Sequence, residues 1–547
     1  MFKQNQAYKQ YDLFGVTRTL SLRQIKMWEN SVEHTFFQNI FSQIDETSFR
    51  VLYSDKKSRP NVPINQLVGS LILKHLFNWT YERLFNNLNF NILTRHAIGI
   101  DILTDNIFSE ASIFNFQNRV IDYFLATGKD LLTEVFDKVT TDQLKEFGIK
   151  TDIQRGDSFL MGSNIFDYSR LQLLVEVLLR LYRILEEDDA ITYSKALQVY
   201  TKQTSGQYIY QLPKENIPKE INSLANIYHK LYTKIGGKYK ETSAFTIFER
   251  VYYEHFVIKD NESVVVPSNE LNSGILMSPD DEDATFRKKG RVKSKGYSGH
   301  ISETANPENA FNLITDIEAS PNNINDANIL EARIPDMITK TPDLEEYHSD
   351  GAYGSPKVDE LMDENKIKQV QTAISGRKAH AEIAIEEIAD NEFKVSCEFG
   401  QKIMAEPTKA GRWRVVFDKN KCSGCPLSQA CASNKYMGKT KRSNRIWYFT
   451  IEQVRLNKRM QNYEDIPEER RLLRANVEAT IKEVKRGMKN GKLRVRSEIK
   501  ARFYLAMTSM AVNLTRIHKY ISAKKAKNLL NRISLQYFSL IPVKYNR

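Results

Sequence analysis

Apolar positions recur every three or four residues through much of the chain and switch to alternation in a few short stretches. Residues 1–50 read as a short helical lead-in. From Pro63 the run INQLVGSLILKHLF predicts a helix, Asn78-Trp79-Thr80 breaks it, and YERLFNNLN predicts a second. A third begins after Ser109, an N-cap residue type, and runs through ASIFNFQNRVIDYF. Short helices on tight turns suit a helix-turn-helix unit or an ordinary helical bundle. Residues 126–150 continue the helical pattern. The stretch 150–164, KTDIQRGDSFLMGSN, is punctuated by Gly, rich in β-capable residues and predicts a strand. Residues 168–255 return to long helical patterns rich in Leu and Tyr. The polar segment 259–283 reads as a linker ending in Asp280-Asp281-Glu282-Asp283.

The stretch 295–374 is the most informative. GYSGHISETA (296–305) alternates as a strand, and FNLITDIEAS (311–320) follows an Asn-Pro-Glu-Asn turn as another. DANILEARIPDMITK (326–340) reads as a helix, interrupted or kinked at Pro335. LEEYHSD (344–350) predicts a strand, SPKVDELMDEN (355–365) a helix opened by Ser-Pro, and KQVQTAI (368–374) a last strand. With 150–164 in front, three strands form an antiparallel meander and two parallel crossovers follow. That is a ribonuclease H-like order, with a helical insertion between its first and second strands.

Length and charge refine this picture. At 547 residues the chain exceeds the roughly 100–200 of a single domain. The most apolar stretch, LQLLVEVLLRLYRIL (171–185), contains Glu176, Arg180 and Arg183 and falls short of the ~20 residues a membrane span needs. The N-terminus lacks an apolar secretory region, so a cytoplasmic, nucleoid-associated protein with no membrane partner is expected. Residues 481–547 hold seventeen Lys and Arg against two acids, Glu483 and Glu498, which leaves the rest of the chain close to neutral. Residues 286–300 and 435–445 are also basic and lack acids. Three such patches interleaved with Tyr, Gly and Ser suit phosphate backbones.

Candidate chemistry lies in three places. Two-metal phosphodiester chemistry needs carboxylates converging from different elements. Strands one and four of the expected sheet are neighbours, and Asp157 and Asp350 fall on them; Asp152 is a rival on the first strand, and Asp316 on the third is less well placed. The stretch 470–488 reads as one helix with an apolar stripe of Leu473, Val477, Ile481, Val484 and Met488. Its neighbouring face carries Arg474, Glu478, Lys482 and Lys485, either a carboxylate delivered to a metal site among DNA-gripping cations or a surface salt-bridge ladder. All four cysteines, Cys397, Cys422, Cys425 and Cys431, fall in one window with C-x24-C-x2-C-x5-C spacing, a candidate tetrahedral Zn²⁺ site.

These motifs resemble those of bacterial insertion-sequence transposases of the DDE type, specifically the group numbered eleven-eighty-two, with a cysteine-rich insertion before the final Glu. NVPINQLVGSLILKHLFNWTYERLFNNLN and FSEASIFNFQNRV resemble the family's helical N-terminal domain. DSFLMGSN and DGAYGS resemble its first- and second-acid motifs. Arg474-x3-Glu478-x6-Lys485 resembles its final Y-x2-R-x3-E-x6-K signature, with Arg471 in the Tyr position. AMTSMAVNLTRIHKY resembles the helix that closes the catalytic domain.

The resemblance implies a multidomain α+β chain. An all-α DNA-binding domain (1–130) precedes a ribonuclease H-like core (145–165 and 285–375) with a helical insertion (166–284). A cysteine-rich module (390–446), the completion of the catalytic domain (447–525) and a basic tail (526–547) follow. It implies Asp157, Asp350 and Glu478 as ligands of two Mg²⁺, with Mn²⁺ able to substitute, and Arg474, Lys482, Lys485 and Arg486 as DNA contacts. The four cysteines become a structural Zn²⁺ module. The partners implied are the element's terminal inverted repeats and target DNA, bound by a homodimer that cleaves and transfers strands. A ribonuclease H-like nuclease without strand transfer and an inactive DNA-binding derivative are the competing readings.

Overall fold

The structure is a computed structural model. It describes residues 1–10, 15–102, 105–259, 262–372, 383–389, 391–428, 431, 433 and 445–539, with 529–539 described by backbone alone. Most of the basic stretch 435–445 and the last residues of the basic tail lie outside these.

The N-terminal region is helical: α1 (Leu22–Glu29), α2 (Val32–Asn39), α3 (Ile64–Leu76), α4 (Tyr81–Phe90), α5 (Ile92–Ala97), α6 (Glu110–Thr127) and α7 (Leu131–Glu146). Between α3 and α4, Asn78 takes a left-handed conformation (φ 52°) and the Thr80 hydroxyl caps α4 by accepting from the Arg83 amide. That is how Asn78-Trp79-Thr80 stops one helix and starts the next.

Strand β1 (Ile153–Gly162) opens the central sheet. The chain then leaves it for a helical unit, α8 (Arg170–Tyr182), α9 (Glu187–Thr201), α10 (Ser205–Gln211), α11 (Ile217–Tyr239) and α12 (Ser243–His255), closed by the hairpin β2 (Phe256–Lys259) and β3 (Glu262–Val265). The unit has its own core around Leu174, Tyr228 and Phe248.

The sheet resumes with β4 (Thr285–Lys289), β5 (Val292–Thr304), β6 (Ile314–Pro321), helix α13 (Asp326–Lys340), β7 (Glu346–Asp350), helix α14 (Pro356–Glu364) and β8 (Lys368–Thr372). Counted across, the order is β6-β5-β1-β7-β8. β1, β5 and β6 pair antiparallel, while β1, β7 and β8 run parallel. Helix α13 runs continuously through Pro335.

The expected linker differs in the structure. The supposed linker 259–283 contains β3 and compact turns. The basic stretch after it is a β-hairpin, β4 with the start of β5, turning at Gly290 (φ 60°).

The cysteine-rich region builds two small antiparallel sheets, β9 (Ile383–Ala389), β10 (Glu392–Cys397) and β11 (Lys402–Met404), then β12 (Glu406–Pro407), β13 (Trp413–Phe417) and β14 (Arg445–Phe449), with α15 (Lys419–Ser423) between β13 and β14. Phe393, Val415, Trp447 and Phe449 form its core. Helix α16 (Ile451–Glu464) returns along α14, pairing Arg455 with Glu360 and Lys458 with Asp363 at 2.5 and 2.7 Å.

The expected single helix over 470–488 is broken into α17 (Glu468–Arg471), a 3₁₀ turn (Leu473–Asn476), α18 (Val477–Val484) and a second 3₁₀ turn (Lys485–Gly487). The Arg155 guanidinium, on β1, donates to the Leu473 carbonyl at 2.9 Å and takes an acceptor the helical ladder would use. Of the predicted stripe, Val477, Val484 and Met488 are buried.

Helix α19 (Glu498–Ser539) closes the molecule. It lies over β6, where the Asn513 side chain donates to the Ile314 carbonyl (3.0 Å) and accepts its amide (2.8 Å). One hydrophobic core runs from Phe36, Leu71 and Phe136 of the N-terminal helices through Phe159 and Ile301 of the sheet to Leu505 and Leu514 of α19. The N-terminal helices and the sheet therefore share a core.

Candidate active site

The register of the central sheet decides where the first two acids meet. Arg155 on β1 pairs with His348 on β7 in a parallel ladder, so two residues on Asp157 and Asp350 stand level on adjacent strands, facing the same side. Gly156 makes the approach possible: a Cβ there would sit 1.9 Å from the Tyr347 hydroxyl of β7. At the end of β7 the Asp350 carboxylate accepts from the Ala352 amide (2.9 Å), which pins the turn after the strand.

Glu478 arrives on the first turn of α18. A buried network holds that helix to the sheet. Glu303 of β5, fully buried, accepts from Arg155 (2.7 Å), from Arg516 of α19 (2.7 Å) and from the Thr480 hydroxyl of α18 (2.8 Å). Arg516 also reaches Glu483 at 2.9 Å. Burying Glu303 as an anion is tolerable because two guanidinium groups and a hydroxyl satisfy it.

All three acids meet at Arg474. Its guanidinium lies 2.6 Å from Asp157, 3.7 Å from Asp350 and 3.5 Å from Glu478. Asp157 is buried and Glu478 is largely exposed. Burial pushes the Asp157 carboxyl above the usual range; Arg474 and the Ser158 amide pull it back, Asp350 pushes it up, and Lys289 pulls it down. Lys289 stands at the tip of the β4–β5 hairpin, where Lys288, Lys289, Arg291 and Lys293 are exposed.

The rivals lie elsewhere. Asp152 precedes β1, held by the Asn306 amide at 2.8 Å. Asp316 is buried against Arg333 (2.6 Å) and Lys340 (2.9 Å), whose charges hold it well below the usual range, so it is a structural ion-pair residue. Lys482 and Arg486 are exposed, and the Lys485 ammonium lies 5.8 Å from the centre of the Phe159 ring.

Among the described residues no three His, Cys, Asp or Glu side chains stand close enough together to hold a metal ion. At the acids, Arg474 sits among the carboxylates. Three carboxylates around one cation fit a divalent ion in chemical type, once the guanidinium moves out.

The four cysteines line one cavity of about 20 Å³, with Gln401 and Arg445 beside them. The Gln401 amide donates to the Cys422 sulfur at 3.3 Å, and burial pushes the Cys422 thiol up. The thiols share a cavity without being drawn into a ligand cluster.

Sequence reasoning missed Arg155, Glu303, Thr480, Arg516 and Lys289. A buried acid on a strand is indistinguishable in sequence from an exposed one, and Lys289 was submerged in a basic run.

Comparison with known proteins bears on this arrangement. A family model described as "Transposase DDE domain" matches residues 396–518, and one described as "Transposase domain (DUF772)" matches residues 26–119. No curated protein and no solved structure matches the chain. The first match spans Arg474, Glu478 and Lys485; the second spans α2 to α5 and the start of α6. Together they support an insertion-sequence DDE transposase, a class of enzymes that cut and transpose DNA.

Proposed function

We propose that the chain binds the ends of an insertion sequence and catalyses metal-dependent DNA cleavage and strand transfer in a ribonuclease H-like core. The observation that carries the reading is the convergence of Asp157, Asp350 and Glu478 on one guanidinium, from β1, β7 and α18. The strand order β6-β5-β1-β7-β8 and the two transposase matches support it.

Asp157, Asp350 and Glu478 would hold Mg²⁺ or Mn²⁺. When bound, the cations supply an activated oxygen nucleophile and charge opposite the departing 3′ oxygen. Arg474 keeps the acids from repelling one another beforehand and, once displaced, is free to pair with a DNA phosphate. Lys289 and its hairpin neighbours add positive charge on the side of Asp157, while Lys482 on α18 and Lys485 and Arg486 on the 3₁₀ turn after it extend the charge. Cys397, Cys422, Cys425 and Cys431 would hold a structural Zn²⁺ that fastens β10, α15 and the segment after it. A dimer on paired DNA ends completes the reading.

Strand joining tests it. Incubated with Mg²⁺ or Mn²⁺, a pre-cut terminal-repeat end with a free 3′-OH and a supercoiled plasmid should give plasmid carrying the labelled end. Cleavage of intact ends without joining would favour the plain nuclease.

A further inference from the structure

A second basic site lies at the other end of α18, between the N-terminal helices and α19. It is a cavity of about 550 Å³, within the range of nucleotide-sized pockets. Lys74, Arg486, Arg494, Lys500 and Lys519 line it, against a single acid, Glu483, already engaged by Arg516. None of the five cations forms an ion pair among the described residues. Lys74 and Arg494 are close enough that burial and mutual repulsion push the Lys74 ammonium down to about 8. Packing five like charges beside a single acid already paired elsewhere is unfavourable for the folded chain alone and becomes favourable when an anion enters.

Aromatic rings line the cavity beside these cations. Trp79 stacks on Phe77 at 4.5 Å between ring centres, and Tyr81 packs on Phe114 at 4.9 Å, with the Lys74 ammonium 4.6 Å above the Tyr81 ring. Trp79 follows Asn78, whose left-handed backbone fixes the turn, and Arg494 donates to the Asn78 side chain at 3.5 Å. Flat rings beside unpaired cations suit a ligand with an aromatic face and a phosphate. Duplex DNA presents phosphates but keeps its base faces stacked; an unpaired nucleotide presents both.

We infer that this cavity binds an unpaired nucleotide of the DNA strand being processed, its base against Trp79 and its phosphate among Arg486, Arg494 and Lys500. The inference rests on the proposed function for its biological setting. Glu478 and Arg486 are separated by roughly 13 Å along α18 and the 3₁₀ turn that follows it, at about 1.5 and 2.0 Å per residue. That is roughly the reach of three or four stacked nucleotides, so the captured nucleotide lies a few positions from the phosphate at the acids.

The test is binding of the full chain to fluorescein-labelled oligothymidylate and to a blunt duplex, by anisotropy across a salt series. Trp79→Ala should weaken oligothymidylate binding roughly 5- to 150-fold, the worth of one stacked base, and leave duplex binding within about twofold. Trp79→Phe should restore most of the loss. Arg494→Gln, an exposed substitution, should lower the single-strand salt slope by about 0.7. Equal losses on both DNAs, or unchanged oligothymidylate binding by Trp79→Ala and Arg494→Gln, would overturn the inference. Selective loss on oligothymidylate in a chain that cuts no DNA would uphold the cavity and reject the transposase reading; cleavage with no selective loss would do the reverse.

Discussion

Arg474 is the residue on which the candidate site turns. Its pairing with Glu478 was legible from their spacing of four. Its contacts with Asp157 and Asp350 were not, because those carboxylates come from strands more than one hundred residues away in sequence. The same guanidinium makes two pH predictions. Removing it in Arg474→Gln leaves Asp157 buried beside Asp350 with less positive charge nearby, so the acid limb of the cleavage pH profile should move to higher pH. An unchanged limb would mean that Asp157 does not limit activity. The second concerns stability without metal. A carboxyl raised above its unfolded value stabilises the fold at low pH, and that contribution is lost as pH rises through the folded pKa. Asp157→Asn should therefore melt higher than the parent at neutral pH in the absence of metal, with the gap closing in acid. Thermal melts with a chelator present check the sign, and a lower neutral melting point for Asp157→Asn would reverse it.

At the scale of elements, β5, β6, β7 and β8 were readable because alternation and turn residues mark each strand, and the order of elements dictates which strands can be neighbours. The break in the 470–488 helix was not readable, because its cause is the Arg155 side chain arriving from β1. The β4–β5 hairpin was hidden by its charge, since FRKK and VKSK read as a basic patch before they read as strands. Two substitutions probe how the elements are held. Gly156→Ala should cost about 1–3 kcal/mol by driving a methyl into the Tyr347 hydroxyl, as measured by denaturant unfolding. Glu303→Ala should cost about 3–5 kcal/mol, because Arg155 and Arg516 would stay buried without their acceptor. A loss under about 1 kcal/mol would show that α18 does not depend on Glu303 for its seat. In the cysteine-rich module, the shared cavity predicts one Zn per purified chain by elemental analysis, lost in Cys422→Ser. A chain that holds no Zn and melts identically with and without chelator would leave four reduced structural thiols.

For the molecule as a whole, the N-terminal helices, the sheet and α19 pack around one shared hydrophobic core. Helix α3 is part of that core: nine of its thirteen residues are buried and it packs against α19. Composition gave the positive charge of the C-terminal region but could not show that Arg494 and Lys500 face Lys74 across a cavity, a juxtaposition only tertiary structure creates. Among the described residues no helix is long and apolar enough to cross a membrane.

The most direct test of the central claim is cleavage of a labelled duplex carrying the element's own terminal repeat, with Mg²⁺ or Mn²⁺, by the parent chain and by Glu478→Gln. Glu478 is exposed, so the substitution keeps the fold and removes only a charge. The account predicts that the parent cuts at the repeat end while Glu478→Gln binds the same duplex and cuts at least about 100-fold more slowly, a loss of roughly 2.7 kcal/mol in transition-state stabilisation. Equal cutting by both would contradict it, and would return Arg474 and Glu478 to the role of a surface ion pair.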